Sequence, residues 1–146
     1  MILDALLKLS ENQALSGGGA VSTNTIDLGA LTPQRDIGVG EPMAVIFGVD
    51  VAAAATGTYI FQVVESDNPD LSVPSVLVYR AVLASLLTAG ALFTIEVPQN
   101  ALTKRYFGVQ YVLGGTTPTL TVTAFLQPHN LASVHPRHYP DAITIT

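Results

Sequence analysis

Hydrophobic and polar residues alternate with a period of two through the middle of the chain. From Met43 to Val51, Val45, Phe47 and Val49 fall on one side of an extended backbone, with Ile46, Gly48 and Asp50 on the other. Thr58 to Glu65 repeats the device, setting Tyr59, Phe61 and Val63 opposite Ile60, Gln62 and Val64. Further strands are predicted at Val76–Ala81, Ala91–Val97, Tyr106–Leu113 and Thr119–Leu126, with a looser one from Val21 to Leu28. Leu83 to Leu87 reads as a single helical turn closed by Gly90. Between these runs lie turn signals, the strongest being Ser66-Asp67-Asn68-Pro69-Asp70, where Asp and Asn bond their own backbone and Pro presets φ. Gly114-Gly115-Thr116-Thr117-Pro118 is expected to join the last two runs as a hairpin.

Seven or eight short strands without βα alternation predict an all-β domain, a single β-sandwich of jelly-roll type. An immunoglobulin-like sandwich fits the same pattern, and periodicity does not separate the two. The ends read differently. Residues 1–20 form an expected N-terminal arm, apolar at Ile2, Leu3, Leu6, Leu7 and Leu9, with Ser16-Gly17-Gly18-Gly19-Ala20 as a flexible joint. The sandwich is expected over 21–127, with a Pro- and Gly-rich loop at Thr32–Pro42. Residues 128–146 form a C-terminal tail punctuated by Pro128, Pro136 and Pro140, with Ala142–Thr146 as a last strand. The opening residues lack a basic stretch and carry Asp4 within the apolar run, so they read as mature chain rather than a secretory leader.

Composition adds one strong feature. Only 12% of the 146 residues are charged, about half the usual share, and mean hydropathy is +0.45. No apolar run reaches the ~18 residues of a membrane span. A surface with so little charge points to one covered by partners. Net charge is −5, and the six cations Lys8, Arg35, Arg80, Lys104, Arg105 and Arg137 form no stripe, so direct nucleic-acid binding is not expected. Cysteine is absent, which removes disulfides and thiolate sites.

Candidate chemistry is thin. His129, His135 and His138 stand near Asp141, but gaps of six and three residues interrupted by prolines do not suit a metal site. Glu65, Asp67, Asp70 and Glu96 supply carboxylates for glycoside chemistry, though most belong to an Asp-rich turn. The spacing at Asp67–Asp70 is not that of a calcium-binding EF-hand. Without Cys or a Gly-x-Ser-x-Gly elbow, nucleophilic catalysis finds no support. Tyr59, Tyr79, Tyr106, Tyr111 and Tyr139 could stack on sugars, yet four of them lie in strands, where aromatics are favoured anyway. Neither an enzyme nor a cofactor is expected.

Several segments in order carry a family likeness: Met1-Ile2-Leu3-Asp4, Ser22-Thr23-Asn24-Thr25-Ile26-Asp27-Leu28-Gly29 and Asp36-Ile37-Gly38-Val39-Gly40-Glu41-Pro42, then Gln62–Asp67, Leu87-Thr88-Ala89-Gly90 and Arg105-Tyr106. Up to about Gln127 the chain resembles the jelly-roll cement proteins that decorate the capsids of certain short-tailed and related tailed bacteriophages. That resemblance implies a structural protein of the outer capsid surface, forming homo-oligomers (dimers or trimers) and bridging major capsid proteins, with no catalytic or cofactor residue. Leu3, Leu6 and Leu7 are the expected capsid anchors, because apolar side chains ahead of a glycine joint have little reason to exist on a free arm. Two alternatives stand beside it: a carbohydrate-binding β-sandwich, and another virion part such as a neck or tail-fibre domain.

Overall fold

The structure, a computed structural model, describes residues 5–29, 41–99 and 101–128. A 3-10 turn at Ala5–Leu7 leads into nine strands: β1 (Lys8–Ser16), β2 (Gly19–Val21), β3 (Ile26–Asp27), β4 (Met43–Val51), β5 (Gly57–Ser66), β6 (Ser75–Leu83), β7 (Leu92–Glu96), β8 (Tyr106–Gly115) and β9 (Thr119–Pro128), with a second 3-10 turn at Ala84–Leu86. They form two antiparallel sheets. The first runs β1-β9-β4-β7; the second runs β2-β8-β5-β6, with β3 continuing the β2 edge along β8. Apart from the β5–β6 hairpin and the β2–β3 step, each connection crosses from one sheet to the other. This is the jelly roll. In an immunoglobulin sandwich successive strands share a sheet at its start, whereas here β1 lies beside β9 and β2 beside β8.

The period-two pattern fixes which face of each strand is inside. Val45, Phe47 and Val49 meet Tyr59, Phe61 and Val63 across the sheets, joined by Phe107, Val109, Tyr111, Leu120, Val122 and Ala124. At the centre, Phe47 and Phe93 of the first sheet pack with Phe61 and Tyr111 of the second, at ring separations of 4.7 to 6.3 Å. Each aromatic contact contributes about 0.5–1.5 kcal/mol beyond the area it buries. Burial pushes the Tyr111 phenol above its ordinary pKa, and its hydroxyl meets Ser10 Oγ at 2.8 Å. Tyr59 reaches the other way, its hydroxyl donating to the carbonyls of Ala54 and Thr119.

Three expectations are corrected. The expected arm is a strand from Lys8 to Ser16, with Leu9 and Leu15 buried in the core. Breaks in register between Lys8 and Ser10 and between Ser10 and Gln13 scramble its alternation, which hides it from a period-two reading. The glycine joint is a tight corner between the sheets. Gly17 and Gly19 both have positive φ, and a side chain at Gly19 would run into the Tyr111 carbonyl. The sandwich therefore begins near Lys8, not Val21, and the predicted Val21–Leu28 strand divides into β2 and β3 around Ser22–Thr25. Finally, β8 and β9 are not a hairpin. They belong to different sheets, and residues 116–118 arch across the end of the core, with Gly115 and Thr117 at positive φ. Alternation says which face a strand buries; it does not say which strand lies beside it.

Candidate functional site

The polar side chains that could carry chemistry hold the scaffold together. Glu65, buried at the end of β5, accepts hydrogen bonds from the backbone N–H groups of Thr103 and Lys104 at 2.7 and 3.0 Å and from the Thr103 hydroxyl at 2.8 Å. It thereby ties the β7–β8 connection to the sheet, a use of a carboxylate that needs no water and no substrate. Asp27 receives a two-pronged contact from Arg105, at 2.7 and 2.8 Å, and Arg105 also lies over the Tyr106 ring. That pairing holds the Arg105 pKa well above its usual value, first through the hydrogen bond to Asp27 and then through its charge. Asp70 accepts from the Ser72 N–H, and hydrogen bonding from Ser72, first through its side chain and then through its backbone, lowers the Asp70 carboxyl below the ordinary range; Asp67 faces Lys104 at 3.6 Å. Glu65, Asp67, Asp70 and Glu96 are thus not brought together as an acid–base pair: the partners of the first three are scaffold groups, and Glu96 ends β7.

The cations follow the same rule. Lys8 pairs with Glu11 at 2.8 Å, and Arg80 lies 5.6 Å from the Phe93 ring centre and donates to the Thr94 carbonyl at 3.4 Å. Arg35 and Arg137 lie outside the described residues, as do Leu3, most of the Thr32–Pro42 loop, the histidines, Asp141 and the tail beyond Pro128. Among the described residues no group of three or more acids or histidines is placed to hold a metal ion, and no helix is long and apolar enough to cross a membrane. Of the tyrosines, Tyr59 and Tyr111 are core residues and Tyr106 is half-buried under Arg105. Tyr79 is exposed on β6, and Tyr139 is outside the described residues. No stacking platform is assembled from those described.

Of the three predicted anchors, Leu6 is 83% exposed on the opening 3-10 turn, while Leu7 is half-buried and packs against the protein's own core. Other outward apolar residues went unpredicted. Val73, Val76, Tyr79, Leu83, Leu86 and Leu92 are all exposed, and all lie in the stretch from the end of the Ser66 loop to the start of β7. The sequence held a usable signal for them. From Val76 to Leu83 nearly every residue is apolar, so both faces of the strand are hydrophobic.

The remaining outer surface is partly closed by the chain itself. Leu71, held at positive φ by the Asn68–Leu71 turn, is buried and packs onto Gly108 of β8, where any larger residue would collide with it and with Ser22 Oγ. On the first sheet, Ala44, Ile46 and Phe125 form a second small buried cluster away from the core. Beside them Gln127 is buried, and among the described residues its side-chain nitrogen has no hydrogen-bond partner.

A jelly-roll β-sandwich with a hydrophobic core, polar side chains that tie its connections together and an apolar outer stretch from Val73 to Leu92 is the class this architecture defines. Residues 9–126 match the family described as Bbp16, and the chain belongs to that family. No curated protein matches it. Among solved structures, the VP2 subviral particle of infectious bursal disease virus aligns with 86% of this chain at 13% identity and a TM-score of 0.32. The alignment covers 33% of the VP2 chain, so this protein spans about a third of that length, and the likeness is too distant to bear on function.

Proposed function

We propose that this protein is a non-catalytic structural component of a virion, a cement protein that binds the outside of a capsid and bridges neighbouring major capsid proteins. One observation carries the reading: polar side chains are turned onto the scaffold, while large apolar side chains are turned outward at Leu6, at Val51 and, above all, along the stretch from Val73 to Leu92. Such a surface suits lasting, fairly dry contacts with protein. The resemblance to phage capsid cements over residues 1–127 supplies the partner, and membership of the Bbp16 family over residues 9–126 is compatible with it. In this reading the protein self-associates, and Leu3 and Leu6 at the N-terminal end contact the shell while Leu7 anchors that end to the sandwich.

The test is to mix the purified full-length protein with expanded, undecorated capsids and image the particles. Regular added density on the outer surface is the expected result, and bare shells at saturating protein would sink the proposal. Leu6→Ser sharpens it. Occupancy should fall while the melting temperature of the free protein stays within about 1 °C, since an exposed side chain contributes little to folding.

A further inference from the structure

The two faces of the first sheet are covered in different ways. Its inner face packs on the second sheet through Val45, Phe47 and Val49. Its outer face carries Ala44, Ile46 and Gly48 of β4, flanked by Gln127, Phe125 and Thr123 of β9 and by Glu96, Thr94 and Leu92 of β7. One end of this outer face is open: Leu92 is 49% exposed, and Asp50 is exposed. The other end is not. Ala44, Ile46, Phe125 and Gln127 are 0%, 3%, 7% and 8% exposed, as deep as the core itself.

Neighbours within a sheet stand beside a side chain and do not roof it, so burial this deep calls for chain laid across the face. Among the described residues no strand takes that place. The opening 3-10 turn touches β9, but its Leu7 packs into the core and its Leu6 points away, 83% exposed. Gln127 adds a second requirement. Its side-chain nitrogen has no partner among the described residues, and a buried amide donor left unpaired is destabilising. The cover should therefore be apolar and bring an acceptor, as an extended peptide does with a carbonyl at every residue.

We infer that the cover is the chain's own C-terminal segment: residues 129 onward turn back after Pro128 and lay Leu131 and Val134 over Ala44, Ile46 and Phe125, with a backbone carbonyl accepting from Gln127 Nε2. This goes beyond the functional reading above and does not rest on it. The covered patch lies at the end of β9 from which the segment departs, beside the Met43–Pro128 pair. Pro128-His129-Asn130 is turn-forming sequence. The patch spans about 7 Å along β9 and about 5 Å across to β4, and six extended residues reach roughly 20 Å. The other stretches outside the described residues suit the place less. Residues 30–40 have to cross from β3 of the second sheet to β4 of the first, and residues 1–4 lead into the turn that carries the exposed Leu6.

Because the chain contains no cysteine, the reactivity of a single introduced thiol reads the cover directly. In the full-length protein Ile46→Cys should react with a maleimide about tenfold or more slower than the same variant ended after Pro128, as expected for a site reached only by local opening. Val45→Cys, on the inner face, should stay slow in both. Protection at position 46 should not change as the full-length protein is diluted from micromolar to nanomolar, since the cover belongs to the same molecule. If the shortened chain unfolds, shown by fast labelling at position 45 as well, Leu131→Ser with Val134→Ser in the full-length chain decides: labelling at position 46 should speed up while position 45 stays slow. Equal rates at position 46 with and without the segment, or with and without its two apolar residues, overturn the inference and leave residues 30–40 as the cover. Protection lost on dilution also overturns it, by assigning the cover to another copy, and fast labelling of Ile46→Cys in the intact chain shows a bare face and does the same.

Discussion

The two flanks of this sandwich are closed by different means. On one, β1 of the first sheet and the β2–β3 edge of the second are stitched together. Gln13 donates to the Val21 carbonyl and accepts from the Thr23 N–H; Asn24 donates to the Leu9 carbonyl through its backbone and to the Lys8 carbonyl through its side chain. The Thr23 hydroxyl adds a bond to Leu9. On the other flank, β6 and β7 face each other with Arg80 as the described polar link, spanning to Phe93 and Thr94. Where the chain joins its own two edges, outward residues are polar and the strands are irregular. Where it does not, the outward residues are apolar and the strand is regular. An edge finished within the molecule is spent on stability, and one left regular and apolar stays open to association.

The stitched flank should be the more costly to damage. A shortened chain spanning 21–127 removes β1 and β2 almost entirely, strips β9 of a neighbour and leaves Leu120 and Val122 open at the edge. It is expected to lose its cooperative thermal transition by circular dichroism; a sharp melt near that of the full chain would show that this flank is dispensable. Gln13→Ala should cost about 1–2 kcal/mol in urea unfolding, because Val21 O, Thr23 N and Ser10 Oγ all lose a partner in a half-buried place. On the open flank, Arg80→Ala should cost less than ~1 kcal/mol, the range of an exposed cation over a ring. If the two single substitutions cost the same, the contrast between the flanks fails.

The smallest expected effect lies in the loop that feeds β6. Hydrogen bonding from Ser72 depresses the folded-state pKa of Asp70 below its ordinary 3.8. A depressed folded value favours the ionised, folded form. The contribution is therefore fully present above the ordinary value and disappears as the pH falls through the folded one. Asp70→Asn should accordingly lie slightly below the wild type in melting temperature at neutral pH and converge with it in acid. A gap that widens in acid would contradict the assignment.

Much of the fold was legible because β4, β5, β6, β8 and β9 are short runs rich in β-branched, aromatic and other apolar residues bounded by turn signals, and the structure places them within two residues of the predicted ends. The single helical turn near Leu83–Leu87 also appears, at Ala84–Leu86. β1 was not legible: of its nine residues, Leu9 and Leu15 are the apolar ones in the core, and bulges put Ser10 inside as well. The β8–β9 misreading has another cause, since a short glycine-containing link between two amphipathic strands serves a hairpin and an inter-sheet arch equally. For the surface, the sequence announced low charge but not where the apolar residues would emerge. That depended on β6 being at an edge, a property of topology rather than of its own residues.

Topology also sets a timetable. β9 is the strand that joins β1 to β4, and β8 joins β2 and β3 to β5, so one interior strand of each sheet is among the last two made. Until residues 106–128 have been synthesised, only the β5–β6 and β4–β7 pairs have their partners, and β1 waits more than a hundred residues for its neighbour. Contacts so remote in sequence make for slow folding, in milliseconds to seconds rather than microseconds. Throughout that interval β6, with its two apolar faces, is already exposed on every nascent chain.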